Sequence, residues 1–285
     1  MTVIYPDPFL EVRVQRLDTD AAMKALCAGY ENKLPRTTGL ADHLFNWIPY
    51  IGLTQEDQLA LGSHNFLDLL SVAARHIYDT KKTASRGELG EILLHLACIL
   101  EFGTTPVICK LALKSSANDT VKGYDGVHLL PVEDDFEIWL GESKFYKGNG
   151  TSAVTDAVAS IADHFIAEFV SAEKAMIYGH ITQDTPHYEE LRRLFRRQTS
   201  GDELLKKAVF PVLICYESKS VKSFEALSDE YTLALGQEIK GLEDHFAKKC
   251  AEADISGVRF QLIFIPIDEK ATLVERFDLK LAGSI

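Results

Sequence analysis

The residues best suited to chemistry are Asp125, Glu142 and Lys144, within the stretch KGYDGVHLLPVEDDFEIWLGESKFY. Glu142 and Lys144 stand two apart, so an extended strand puts both on one face. Val127 to Leu130 and Phe136 to Leu140 are apolar, β-branched or aromatic, as strands are. Pro131-Val132-Glu133-Asp134-Asp135 between them has the composition of a turn. A hairpin looping at Val132 to Asp135 sets Pro131 opposite Phe136. The same register sets Asp125 opposite Glu142. A slip of one residue would undo the pairing. Carboxylates brought together repel each other, and a divalent cation with further water ligands relieves that repulsion. A neighbouring ammonium then orients a water or neutralises charge building on a phosphate. Such a Mg²⁺ site, where Mn²⁺ is expected to substitute, suits phosphodiester hydrolysis. A surface hairpin with a solvated Glu-Ser-Lys end would present the same residues.

Asp125, a turn, and then Glu142-Ser143-Lys144 resembles the PD-(D/E)xK nucleases, the restriction-endonuclease-like superfamily. Tyr124 stands where the superfamily's name has proline. The words RGELGEILLHLACILEFGTTPV, GYDGVHLL and WLGESKFYKG are more narrowly similar to the HamA family, the nuclease subunit of the Hachiman anti-phage system. The superfamily resemblance spans roughly Ser85 to Ile267. It implies a restriction-endonuclease-like core, DNA as substrate, Asp125 and Glu142 as metal ligands, and Lys144 as a catalytic residue. It also implies a helix glutamate at the metal. Glu88 completes the capping-box spacing Ser85-Arg86-Gly87-Glu88. Glu91, one turn on, has no such structural task, and the resemblance assigns it the metal role. A solvated face would also explain Glu91. A HamA-like chain would work with a HamB-like helicase. The alternative is a non-catalytic subunit that binds the partner or DNA.

Two further groups compete for attention. Glu217-Ser218-Lys219 repeats the Glu-Ser-Lys word after the apolar run AVFPVLICY. It lacks an aspartate strand within hairpin distance, so Glu217 and Lys219 are reserve candidates. Arg192, Arg193, Arg196 and Arg197 fall at helical spacing and predict one basic stripe, with Lys206 and Lys207 soon after. This is the densest positive patch and the candidate DNA contact. A solvated face paired with Glu189, Glu190 and Glu203 reads the same. Thr151, Ser152 and Thr155, at a helix start after Lys144, are weaker candidates for backbone contact. His95, one turn beyond Glu91, is read as a packed core histidine.

The elements that must position these groups follow from periodicity. FLEVRVQRL, Phe9 to Leu17, alternates as a strand, and Asp18 or Thr19 is expected to cap a helix through Gly29. A short helix near His43 to Trp47, a start at Thr54 and a helix from His64 to Asp79 complete a mainly helical extension over residues 1–84. The nuclease-like domain is then 85–285. It opens with a helix to Phe102, with Leu89, Ile92, Leu93, Leu96 and Leu100 as its buried stripe. Thr104 to Leu113 is expected as the first strand, before the hairpin. A long helix from Ser152 to Tyr178 should pack Val154, Val158, Ile161, Phe165 and Phe169 on the sheet. Pro186 begins another helix. Ala208 to Tyr216 is a strand, Phe224 to Ala253 a helix, Val258 to Ile267 a strand, and Phe277 to Leu281 a short tail strand. The order predicts an α/β fold with a mixed central sheet flanked by helices.

Composition bounds the function. The 285 residues are 46% hydrophobic and 25% charged, as in an ordinary globular protein. The scattered cysteines Cys27, Cys98, Cys109, Cys215 and Cys250 form no C-x-x-C pair, which fits a reducing cytoplasm. MTVIYPDPFLEVRV does not resemble a signal peptide. The apolar run Ile92 to Phe102, broken by His95 and Glu101, is too short to span a membrane. The absence of a Gly-rich phosphate loop predicts no nucleotide cofactor on this chain. A net charge of −12 is awkward for gripping DNA unaided. It points to local basic patches or to a partner that supplies the affinity.

Overall fold

The computed structural model describes residues 3–17, 21–78, 87–113, 123–133, 135–164, 167–255 and 257–283. The chain opens with β1 (Glu11–Arg16) and β2 (Ala21–Cys27), then the short pair β3 (Tyr30–Glu31) and β4 (Leu34–Pro35). Helices α1 (Thr37–Asn46), α2 (Ile48–Gly52), α3 (Gln55–Leu59), α4 (Phe66–Tyr78) and α5 (Gly87–Phe102) follow. β5 (Thr105–Cys109) runs into a 3-10 turn, Lys110–Leu113, ahead of the hairpin β6 (Gly126–Val132) and β7 (Asp135–Phe145). Next come α6 (Thr151–Asp163), α7 (Ala167–His180), α8 (Tyr188–Phe195), α9 (Gly201–Lys207) and β8 (Ala208–Glu217). The chain ends with α10 (Lys219–Ser223), α11 (Asp229–Glu252), β9 (Phe260–Ile267) and α12 (Lys270–Ala282).

The main sheet is mixed and has seven strands in the order β1-β2-β9-β8-β7-β6-β5. Its centre, from β2 through β9 and β8 to β7, is parallel, and antiparallel strands flank it on both sides. Central parallel strands are covered on both faces and read as continuous apolar runs. β8, AVFPVLICYE, is buried along nearly its whole length. Its Phe210, Val212, Ile214 and Tyr216 pack with residues of α6 and α11, among them Val158 and Leu235. Val209, Leu213 and Cys215 pack on the other side with α1, α5 and α12. The fold is therefore α/β, with a central mixed sheet flanked by helices.

α5 is apolar almost all round, and Leu89, Ile92, Leu93, Leu94, Leu96, Ala97 and Cys98 are all buried. Each fully buried leucine contributes about 1.5–3 kcal/mol relative to an exposed one. Leu100, the last member of the expected stripe, is half-buried. Ser85 of the expected capping box lies outside the described residues.

Several expectations are corrected. Residues 21–27 form strand β2, not a helix, while Asp18 and Thr19 lie outside the described residues. Ala, Met, Lys and Leu are good helix formers, but propensity is a small term that tertiary pairing overrides. β2 runs antiparallel to β1 and parallel to β9, with Met23, Ala25 and Cys27 on one buried face and Leu26 on the other. The tail is helix α12, not a strand. Leu273, Phe277 and Leu281 recur every fourth residue and are all buried. The expected long helix is two, α6 and α7, with His164 as the C-cap of the first. Phe165 lies outside the described residues, as does the side chain of Phe169. The strand expected to Leu113 stops at Cys109, where the 3-10 turn begins.

Candidate active site

The hairpin register is the expected one. Pro131 pairs with Phe136 and Gly126 with Gly141, and Val132 closes on Asp135. The backbone N–H of Asp125 donates to the carbonyl of Gly141 at 2.9 Å. The paired register itself ends at Gly126 and Gly141, so the expected pairing of Asp125 with Glu142 does not extend the ladder. Both strands run longer than the local pattern indicates, so Glu142 and Lys144 lie within β7 rather than at a frayed end.

Alternation sorts the side chains of β7. Phe136, Ile138 and Leu140 join the core beneath α6, and Trp139 and Phe145 join the core beneath α5. By parity Glu142 and Lys144 take the α6 side and Ser143 the α5 side. Lys144 Nζ donates to Glu142 Oε1 at 2.6 Å. Glu142 Oε2 faces His164 Nε2 at 3.7 Å, and His164 Nδ1 lies 3.0 Å from Glu173. The Tyr124 ring stacks on His164 with centroids 4.2 Å apart. Burial opposes the charge on Glu142, but His164 and Lys144 outweigh it and hold the carboxyl below its usual range. Burial also opposes the charge on His164, and Glu142 with Glu173 lifts it to about 9. His164 is therefore a cation at neutral pH, wedged between two acids.

Asp125 has different partners. Its Oδ2 accepts from the backbone N–H of Ser143 at 2.9 Å and from Ser143 Oγ at 2.8 Å. Its Oδ1 accepts from Lys110 Nζ at 3.1 Å. Lys110 also donates to the carbonyl of Gly123 at 3.2 Å. Burial works against the charge on Lys110. Asp125 and Glu91, helped by Glu142, outweigh it and raise its pKa. Three predicted acids thus act on one ammonium. Among the described residues, however, no group of three or more His, Cys, Asp or Glu side chains is placed to hold a metal ion. Asp125 and Glu142 each have a cation close by, Lys110 and Lys144 in turn.

The donor set still suits a hard divalent ion. Mg²⁺ is commonly held by one or two carboxylates, with water and phosphate completing its shell. Asp125 and Glu142 supply two carboxylates, and Asp125 Oδ1 already holds a positive charge, the Lys110 ammonium.

The other candidates lie apart. Glu88 is buried near the start of α5. His95 is fully buried, and burial lowers its pKa to about 4. Its Nδ1 meets His128 Nε2 at 2.7 Å, as a packed core pair would. Glu217 accepts from the backbone N–H of Lys270 at 3.0 Å and from Lys222 at 3.2 Å, while Lys219 is exposed on α10. Those bonds tie α10 to α12 and leave the second Glu-Ser-Lys outside the site. The arginines do not share one helix face, though Arg193, Arg196 and Arg197 line one cavity beside Tyr178. α8 ends at Phe195, and Arg196 is already extended at ψ 144°. Arg192 lies 4.0 Å over the Tyr178 ring, and Arg193 pairs with Glu203 at 2.7 Å. Lys207 is paired with Asp135 and Glu190. Thr155 bonds to His245 at 2.9 Å, while Thr151 and Ser152 are exposed at the start of α6.

Sequence reasoning missed Lys110, Ser143, His164 and Glu173. Lys110 is brought to Asp125 by the pairing of Cys109 with Gly126, which no local pattern shows. Ser143 is the middle residue of the Glu-Ser-Lys word. His164 and Glu173 carry no local mark.

Fold and site together define an α/β protein whose mixed sheet presents a carboxylate–lysine cluster beside its central hairpin. The chain belongs to the HamA family, which matches residues 4–281. It is accordingly a protein of the Hachiman defence system. No curated protein matches it. Among the described residues no helix is long and apolar enough to cross a membrane.

Proposed function

We propose that this chain is a metal-dependent deoxyribonuclease of the PD-(D/E)xK type, acting with a helicase partner in anti-phage defence. The observation that carries the reading is the gathering of these groups at the Glu-Ser-Lys word of β7. Asp125 bonds to Ser143, between Glu142 and Lys144, and Lys144 Nζ lies 2.6 Å from Glu142 Oε1. Asp125 and Glu142 would hold Mg²⁺, for which Mn²⁺ would substitute, with Glu91 assisting from α5. The ion would supply Lewis-acid polarisation of the scissile phosphate and of the attacking water. Ser143 fixes Asp125 through two hydrogen bonds, and His164 steadies Glu142. Lys144 is placed to orient the attacking water, or to neutralise charge on the phosphate as the bond breaks. The acidic chain needs help to approach DNA, and a helicase subunit that holds the duplex would supply it. Arg196 and Arg197, off the end of α8, are the remaining candidates for phosphate contact.

The test is cleavage of plasmid by the chain with its helicase partner, with Mg²⁺ and with chelator. Cleavage should require the ion. Glu142→Ala and Lys144→Ala should each reduce it by about 100-fold or more. Equal cleavage by wild type and variants would end the proposal. A second reading has one observation in its favour: the acids are already matched by Lys110, Lys144 and His164. A non-catalytic subunit that binds the partner or DNA would need no more than that.

A further inference from the structure

Lys110, Asp125 and Glu142 stand at or near the ends of three neighbouring strands. Cys109 pairs with Gly126, and Gly126 pairs with Gly141. Lys110 follows β5, Asp125 precedes β6, and Glu142 follows Gly141 within β7. The chain leaves β5 at Cys109 and enters a 3-10 turn, and this turn carries Lys110 to the acids. Of the two oxygens of Asp125, Oδ2 is taken by the backbone N–H and hydroxyl of Ser143, on the hairpin strand itself. Among the described residues, only Oδ1 is directed at a group from another element, and that group is the Lys110 ammonium at 3.1 Å. Lys110 is held there by a second bond, to the Gly123 carbonyl at 3.2 Å. The Lys110 and Asp125 side chains are 18% and 12% exposed, so water screens the pair only in part.

We propose that Lys110 is the resident cation of this site: it holds Asp125 Oδ1 in the metal-free protein and must give up that oxygen when a divalent ion binds. The proposal rests on the reading of Asp125 and Glu142 as metal ligands. Two positive charges do not share one part-buried carboxylate oxygen without strong repulsion. Metal binding is therefore a competition, and its free energy is reduced by the cost of moving Lys110. The same ammonium keeps the carboxylates from repelling one another in the empty state. The protein can then fold without metal and bind it only where the ion is supplied at sufficient concentration or is bridged by substrate phosphate.

Calorimetric titration of Mg²⁺ and Mn²⁺ into wild type, Lys110→Gln and Lys110→Arg tests this, with melting in chelator as the folding control. Lys110→Gln should bind the ion about tenfold or more tightly. Lys110→Arg keeps the charge and should stay at the wild-type affinity or below it. In parallel, labelling of the Lys110 amine by an acylating reagent, read by peptide mass spectrometry, should increase when Mg²⁺ is added to wild type. Equal affinities in wild type and Lys110→Gln, or labelling unchanged by a metal that does bind, would overturn the competition and leave the metal site standing. No binding to any of the three proteins would overturn the metal reading and the competition with it. If Lys110→Gln does not melt cooperatively in chelator, the labelling arm on wild type decides alone.

Discussion

At the scale of the residue, the cluster is governed by charge matching in a place that water barely reaches. Glu142 is 5% exposed and His164 4%, so neither could stay ionised alone. Each is ionised because of its partners: Glu142 has His164 and Lys144, and His164 has Glu142 and Glu173. His164 ordinarily releases its proton near 6.5 and here keeps it to about 9. A raised pKa of this kind adds stability that is fully present below about 6.5. That stability drains away as the pH climbs toward 9. Melting temperature should therefore fall across this window for reasons local to α6. His164→Gln should melt lower than wild type at pH 6 and show a flatter profile from pH 6.5 to 9, measured by circular dichroism. A parallel decline in both proteins would mean that His164 is not the group responsible.

At the scale of the element, the site depends on how closely α5 lies on β7. A Cβ at Gly90 would come within 3.1 Å of Ser143 Oγ and 3.3 Å of Phe145 Cβ. Gly90 sits in ordinary helix, so the glycine is there for closeness rather than for backbone freedom. Ser143 in turn holds Asp125. Gly90→Ala should push α5 off the strand and cost about 1–3 kcal/mol, as overpacking does. Chemical denaturation would measure it. Because the displaced group is the one that grips Asp125, the same variant should bind Mn²⁺ more weakly. Normal metal binding despite lost stability would separate the packing of α5 from the geometry of the site. The basic patch teaches the complementary lesson. Arg192 to Arg197 share one stripe only if the helix continues. It ends at Phe195, and the arginines go to Tyr178, Glu203 and the connection beyond.

At the scale of the whole molecule, the first strands and the last are one structure. β2 lies beside β9, and Met23 and Leu26 face the two opposite cores. Arg16 reaches α11 through an ion pair with Glu243. A chain lacking residues 1–27 would expose the edge of a parallel strand and leave both cores open. It should aggregate or melt without cooperativity, judged by size-exclusion chromatography and scanning calorimetry. A well-folded truncated protein would show that β1 and β2 are an addition to the sheet rather than a support of it.

The hairpin and its register were legible because both depend on neighbours in sequence. The turn residues, the alternation and the Glu-Ser-Lys word all act within about two strand lengths of one another. Buried runs such as α5 and β8 were legible for the same reason: a continuous apolar pattern has few ways to avoid water. Residues 21–27 were not, because pairing with two distant strands overrode a local helical preference, while the tail's helical period, Leu273, Phe277 and Leu281, was present in the sequence and read as strand. The cations that meet the acids were also hidden. Lys110 comes from the end of β5, and His164 comes from the end of a helix whose length the pattern overstated. Which positive charge answers each carboxylate is set by distances through space, and only the closing of the sheet and helices determines those.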